Sequence, residues 1–144
     1  VDDRLQSRAE DVYAAGDMAA VPSALTGRHR RVEHWAEAQQ QANHAARMML
    51  GGDEAYRGIP FFWTEQAGQS LKHVGGPTKW DNVVFRGNVE EGEFLAAYYG
   101  GDQLRAVCTA GLDEELLACR RLLENGRSPG PEELVQAEKI PSHA

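Results

Sequence analysis

The clearest pattern in the chain is helical. Over residues 35–50 the apolar positions Trp35, Ala38, Ala42, Ala45 and Met49 recur at alternating steps of three and four, which puts them on one face and predicts a helix. The stripe is mostly alanine, so a neighbouring element can approach closely, and Gly51-Gly52 supplies the stop. A second helix is predicted over 112–125. Leu112, Leu116, Cys119 and Leu123 form its stripe, Asp113-Glu114-Glu115 suit its amino end, and Arg120 and Arg121 suit its carboxyl half. Asn125-Gly126 end it, and Pro131 opens a short third helix over 132–137.

Between the first two helices the period falls to two. Residues 70–75, 82–87, 93–99 and 103–109 are strand-length runs separated by Gly75-Gly76-Pro77, by residues 88–92 and by Gly100-Gly101-Asp102. Phe94, Ala96 and Tyr98 alternate with Leu95, Ala97 and Tyr99, so one face of each strand is core and the second helix covers it. Ahead of the long helix, the apolar run 11–15 is closed by Gly16-Asp17. It reads as a buried parallel strand whose carboxyl end, in open α/β sheets, is where ligands gather. The plainer alternative is a turn glycine followed by a capping aspartate. The cluster Pro60-Phe61-Phe62-Trp63 has two readings as well: a buried strand edge, or the lid of a planar ligand.

The expected fold is therefore α+β: an antiparallel β-meander packed with helices, preceded by a strand and a long helix. Residues 1–52 hold the strand, loop and long helix, 53–138 the α+β domain, and 139–144 a frayed tail. With 144 residues and 42% hydrophobic content there is room for one ordinary core.

A formal charge of -7 excludes a general nucleic-acid binder, which needs a basic surface for phosphates. No apolar run is long enough to span a membrane, and a cytoplasmic location is expected. The two cysteines, Cys108 and Cys119, sit in no metal-binding spacing and read as small buried apolar residues, with a disulfide as the lesser alternative. Five histidines show no metal-ligand spacing, and no nucleotide-binding glycine motif, nucleophile elbow or HExxH is present, so neither a catalytic residue nor a metal site is expected. In this acidic chain Arg28, Arg30 and Arg31 stand out as a basic run, either a solvated loop or a docking patch for an acidic partner.

Three motifs in order carry a resemblance: Val12-Tyr13-Ala14-Ala15-Gly16-Asp17, then Arg30-Arg31-Val32-Glu33-His34-Trp35 with Ala38, then Ile59-Pro60 with Trp63-Thr64. The succession is similar to the last third of the FAD-dependent pyridine-nucleotide oxidoreductases. The branch it resembles is that of the ferredoxin/rubredoxin reductases and apoptosis-inducing-factor-like proteins, including the Rieske-linked type. The resemblance implies that residues 1–52 are what remains of an FAD-binding domain and that the meander is the reductase C-terminal domain. On that reading Gly16 and Asp17 would meet the ribityl side of FAD, Glu33 and His34 the flavin ring and nicotinamide side, and His34 and Trp35 would offer helix-start N–H groups. Phe62 and Trp63 would be the aromatic pair beside the ring, with Trp63 stacking. NAD(P)H would be the substrate and a ferredoxin, rubredoxin or Rieske-type protein the acceptor, docked through Arg28, Arg30 and Arg31.

Two departures from the family pattern stand in this chain, Ser7 for a threonine and Gln41-Ala42 for Gln-Gly. The dinucleotide-binding fingerprints would lie upstream of Val1, so the chain is expected to be a C-terminal piece, inactive alone and weak or lacking in FAD binding. A different class of function remains open, a non-catalytic interaction or dimerisation module without cofactor, in which copies pair through the apolar 11–15 strand.

Overall fold

A computed structural model describes residues 1–76 and 79–140. The chain divides into two units, Val1–Pro60 and Phe61–Ala144. Pro77 of the expected Gly-Gly-Pro turn and residues 141–144 of the expected 139–144 tail lie outside the described residues, while Ile140 is buried rather than frayed.

The first unit is built on helix α1, Trp35–Met49. Its end is a Schellman motif: the Gly51 N–H donates to the Met48 carbonyl at 3.0 Å and the Gly52 N–H to that of Arg47 at 3.1 Å. Ahead of α1 lie a 3-10 turn, Gly16–Met18, and a minimal hairpin of β1, Val21–Pro22, and β2, His29–Arg30. Leu5, Ala19, Val21 and Ala45 form the core of the unit, with Tyr13, Ala14 and Tyr56 packed against it.

Two expectations fail here. Residues 11–15 are not a strand: Tyr13 makes only an isolated antiparallel bridge with Gln6, and Val12 is 51% exposed. The reason is local pairing. The Ser7 N–H donates to the Val12 carbonyl at 2.7 Å and the Ala14 N–H to that of Leu5 at 3.0 Å, so the segment folds back on residues 5–7 and offers no continuous edge for another strand. The second failure is the stripe of α1. Trp35 and Met49 are 60% and 59% exposed, whereas Glu37, Gln41, His44, Ala45 and Met48 are buried. Apolar periodicity misses a face in which buried Gln41 and Glu37 hydrogen-bond to each other.

The second unit is a five-stranded antiparallel sheet. Its strands are β3, Phe61–Gln66; β4, Gln69–Gly75; β5, Asn82–Asn88; β6, Glu93–Gly100; and β7, Gln103–Ala110. The spatial order is β3-β4-β7-β6-β5. The meander holds for β5, β6 and β7, but β4 lies beside β7 rather than β5, which makes β4 to β7 a Greek key with β3 added as a hairpin. Helix α2, Asp113–Glu124, packs on β4 and β7, as its Leu116, Cys119 and Leu123 stripe requires. Leu95, Ala97 and Tyr99 of β6 are buried together with Val107 of β7 and Val74 of β4. Helix α3, Pro131–Gln136, lies against β5, with the Glu133 carboxylate accepting from the Gly130 N–H at 3.3 Å. Its carboxyl end is closed by Arg86 of β5, whose guanidinium donates to the carbonyls of Leu134, Val135, Ala137 and Glu138. The expected α+β class, an antiparallel sheet with helices, is the class observed. Among the described residues no helix is long and apolar enough to cross a membrane.

Candidate functional site

The Gly16-Asp17 turn lies on α1. Gly16 is buried with φ +78°, and a Cβ at that position would come within 3.2 Å of the Ala38 Cβ, so both the conformation and the close approach ask for glycine. A small residue at 38 is what lets the turn settle there. The turn is also fastened by hydrogen bonds. The Gly16 N–H donates to Gln41 Oε1 at 2.8 Å, Gln41 Nε2 donates to Glu37 Oε1 at 3.1 Å, and the Tyr56 hydroxyl donates to the same Glu37 oxygen at 2.9 Å. Glu37 and Gln41 are 4% and 1% exposed. Sequence reasoning passed over Glu37 and Tyr56 and met Gln41 only in the Gln41-Ala42 departure from the family pattern. The i, i+4 spacing of Glu37 and Gln41 could have pointed to the pair, but that spacing is as common on solvated faces.

The Asp17 side chain leaves this turn on the exposed side. Glu33 is exposed just before α1, and the N-cap His34 is extended (φ -146°, ψ 134°), with no side chain capping the helix start. Because Gly16 sits on Ala38, in the second turn of α1, the first unit brings an exposed carboxylate and the positive end of a fifteen-residue helix to one region. A carboxylate accepts hydrogen bonds from hydroxyls, and a helix start favours an electron-rich group. Those two chemistries fit a ligand with a polyol chain and a ring that takes on negative charge, as FAD does on reduction.

In the second unit Phe62 and Trp63 lie on the edge strand β3, half exposed. Adjacent strand residues point to opposite faces. Phe62 pairs with His73, ring centroids 4.9 Å apart, while Trp63 lies opposite Lys72 and stacks with Phe61 at 5.9 Å. One planar ligand can therefore meet only one of the two.

The basic run divides in a similar way. Arg28 and Arg31 are exposed, but Arg30 is half-buried beside the polar network, where burial pulls its pKa down against the opposing charge of Glu37. Arg30 belongs with Glu37, and Arg28 and Arg31 are the outward charges.

The sequence model of the family described as Reductase C-terminal matches residues 61–140. Among curated proteins, the ferredoxin–NAD(+) reductase component of the anthranilate 1,2-dioxygenase system of Burkholderia cepacia is 34% identical over 86% of this chain and 31% of its own length. Among solved structures, a ferredoxin reductase from Rhodopseudomonas palustris superposes with a TM-score of 0.88 at 31% identity, covering 95% of this chain and 34% of that one. The reductase in the covalent putidaredoxin reductase–putidaredoxin complex superposes with a TM-score of 0.88 at 27% identity, over 99% and 34% of the two chains. This chain thus spans about a third of the length of these relatives.

Proposed function

The chain belongs to the reductase C-terminal family, and on that premise we propose that it is the closing portion of an FAD-dependent reductase that passes electrons from NAD(P)H to a small iron–sulfur protein. The observation that carries the reading is the Gly16-Asp17 turn fastened on α1, with its carboxylate outward near an uncapped helix start. When bound, FAD supplies two-electron exchange with a nicotinamide and one-electron exchange with an iron–sulfur centre. This chain's residues bind and orient: Asp17 accepts from ribityl hydroxyls and the α1 start with Glu33, His34 and Trp35 lies along the ring edge, while the family resemblance assigns stacking on a flavin ring to Trp63.

On the same reading, residues 1–52 complete a flavin-binding domain and 53–138 form the reductase C-terminal domain. The chain alone is inactive and holds FAD weakly. The acceptor is a ferredoxin, rubredoxin or Rieske-type protein in the cytoplasm, drawn by Arg28 and Arg31. Support for an iron–sulfur acceptor comes from the solved relative whose complex contains putidaredoxin. Support for the two arginines comes from their exposure in a chain of net charge -7.

The test is the visible spectrum of the protein expressed from its own gene. Flavin absorbance that is lost in Asp17→Ala, with folding intact by circular dichroism, supports the reading. A colourless protein that stays colourless in excess FAD overturns it in favour of an association module.

A further inference from the structure

We propose that Gln41 is a positioning residue, a side chain that sets the Gly16-Asp17 turn and through it the place of the Asp17 carboxylate; its bearing on flavin rests on the reading of Asp17 above. The Gly16 N–H is buried in a segment that lacks a strand ladder, so a side chain must satisfy it, and Gln41 Oε1 does so at 2.8 Å from 25 residues away. The orientation of that amide is dictated rather than chosen. Gln41 is 1% exposed, and its other end faces Glu37 Oε1 at 3.1 Å. A carboxylate can only accept, so Gln41 must turn its NH2 toward Glu37 and its carbonyl toward Gly16. Glu37 is held in turn by the Tyr56 hydroxyl at 2.9 Å.

The donors converge on Glu37, from the turn through Gly16 and Gln41 and from the other side through the Tyr56 hydroxyl. Reversing the Gln41 amide would put a donor against the Gly16 N–H and an acceptor against a carboxylate. Gly16 is also the residue whose backbone angles aim Asp17, one position on. The Gly16 carbonyl is held by the Ala19 N–H at 2.9 Å and its N–H by Gln41, so loss of the Gln41 bond frees one side of a glycine at φ +78° and lets the carboxylate shift. The three polar side chains Gln41, Glu37 and Tyr56 therefore fasten the turn without facing the ligand.

The test is amide hydrogen exchange at Gly16, with circular dichroism and the β6 and β7 amides as controls for folding. Gln41→Leu is expected to accelerate Gly16 exchange about tenfold or more. The exchanged pair Glu37→Gln with Gln41→Glu keeps an acceptor at 41 for the Gly16 N–H and a hydrogen bond between 37 and 41, now donated from 37 with the Tyr56 hydroxyl turned to accept. It is expected to restore exchange to within about twofold. Should Gln41→Leu fail to fold, Gln41→Met keeps the length of the side chain but removes the acceptor that Gly16 uses, and the same acceleration is expected. Unchanged Gly16 exchange, or an exchanged pair that fails to restore it, overturns the proposal.

A second measurement is FAD dissociation from the protein expressed from its own gene. It is expected to be about tenfold weaker in Gln41→Leu and restored in the exchanged pair. FAD binding that is unchanged in Gln41→Leu but weakened in Asp17→Ala overturns the positioning role. FAD binding unchanged in Asp17→Ala overturns the flavin reading itself, while the fastening read at Gly16 stands.

Discussion

Phe62 and Trp63, neighbours in the chain, leave β3 on opposite faces of the sheet, Phe62 toward His73 and Trp63 toward Lys72. A planar ligand on one face meets only one of them. Trp63→Ala is expected to change bound-flavin fluorescence and slow hydride transfer while lowering the melting temperature little. Phe62→Ala is expected to leave both flavin signals alone and to cost about 1 kcal/mol of stability through loss of its ring contact. Fluorescence, stopped-flow reduction and thermal melting separate the two. Equal losses in both variants would make Trp63 a packing residue.

Arg86 stands on β5 and closes α3 by donating to the carbonyls of Leu134 and Val135 in its last turn and of Ala137 and Glu138 just beyond it. Removing it leaves those acceptors without their charged donor. Arg86→Ala should destabilise the fold by about 2 kcal/mol in urea unfolding. Arg86→Lys should recover less than half, because a single ammonium cannot span carbonyls that a planar fork reaches. A lysine variant as stable as wild type would show that charge alone suffices.

The β3–β4 hairpin turns through Ala67 and Gly68, with φ of +51° and +81°. Two positive φ values are what a two-residue primed turn needs, and alanine is a poor choice for the first. Ala67→Asn should stabilise the protein by about 0.5–1 kcal/mol, read from the shift in denaturation midpoint at unchanged slope. Destabilisation would mean that the Ala67 methyl makes contacts that matter more than its backbone angle.

Cys119 and Tyr99 are wholly buried, and burial pushes each pKa up to about 12, from ordinary values near 9 and 10. The unfolded chain releases these protons near 9 and 10, and the folded chain holds them until about 12. Stability from both groups is therefore complete below pH 9 and declines as pH rises toward 12. Urea unfolding at a series of alkaline pH values should show that fall, with a limiting slope of about 1.4 kcal/mol per pH unit for each group. In the folded protein Cys119 should resist alkylation at pH 8, whereas half-buried Cys108, its thiol also raised by burial, should react slowly.

Local pattern alone decided the helices, the strand-length runs and most of their ends. Glycines after α1 and α2, proline before α3 and the two-residue period of β5 to β7 act within a few residues, so the physics that sets them is written in adjacent positions. The motifs that carry the family resemblance were legible for the same reason. Other features depended on distant partners. The strand order places β4 against β7, a pairing that no neighbouring residue specifies. The apolar run 11–15 has the composition of a strand but folds back on residues 5–7, whose backbone groups take up those of Val12 and Ala14. The buried face of α1 carries Glu37 and Gln41, which composition assigns to solvent. Only a partner such as the Gly16 N–H, twenty-five residues away, makes burying them favourable.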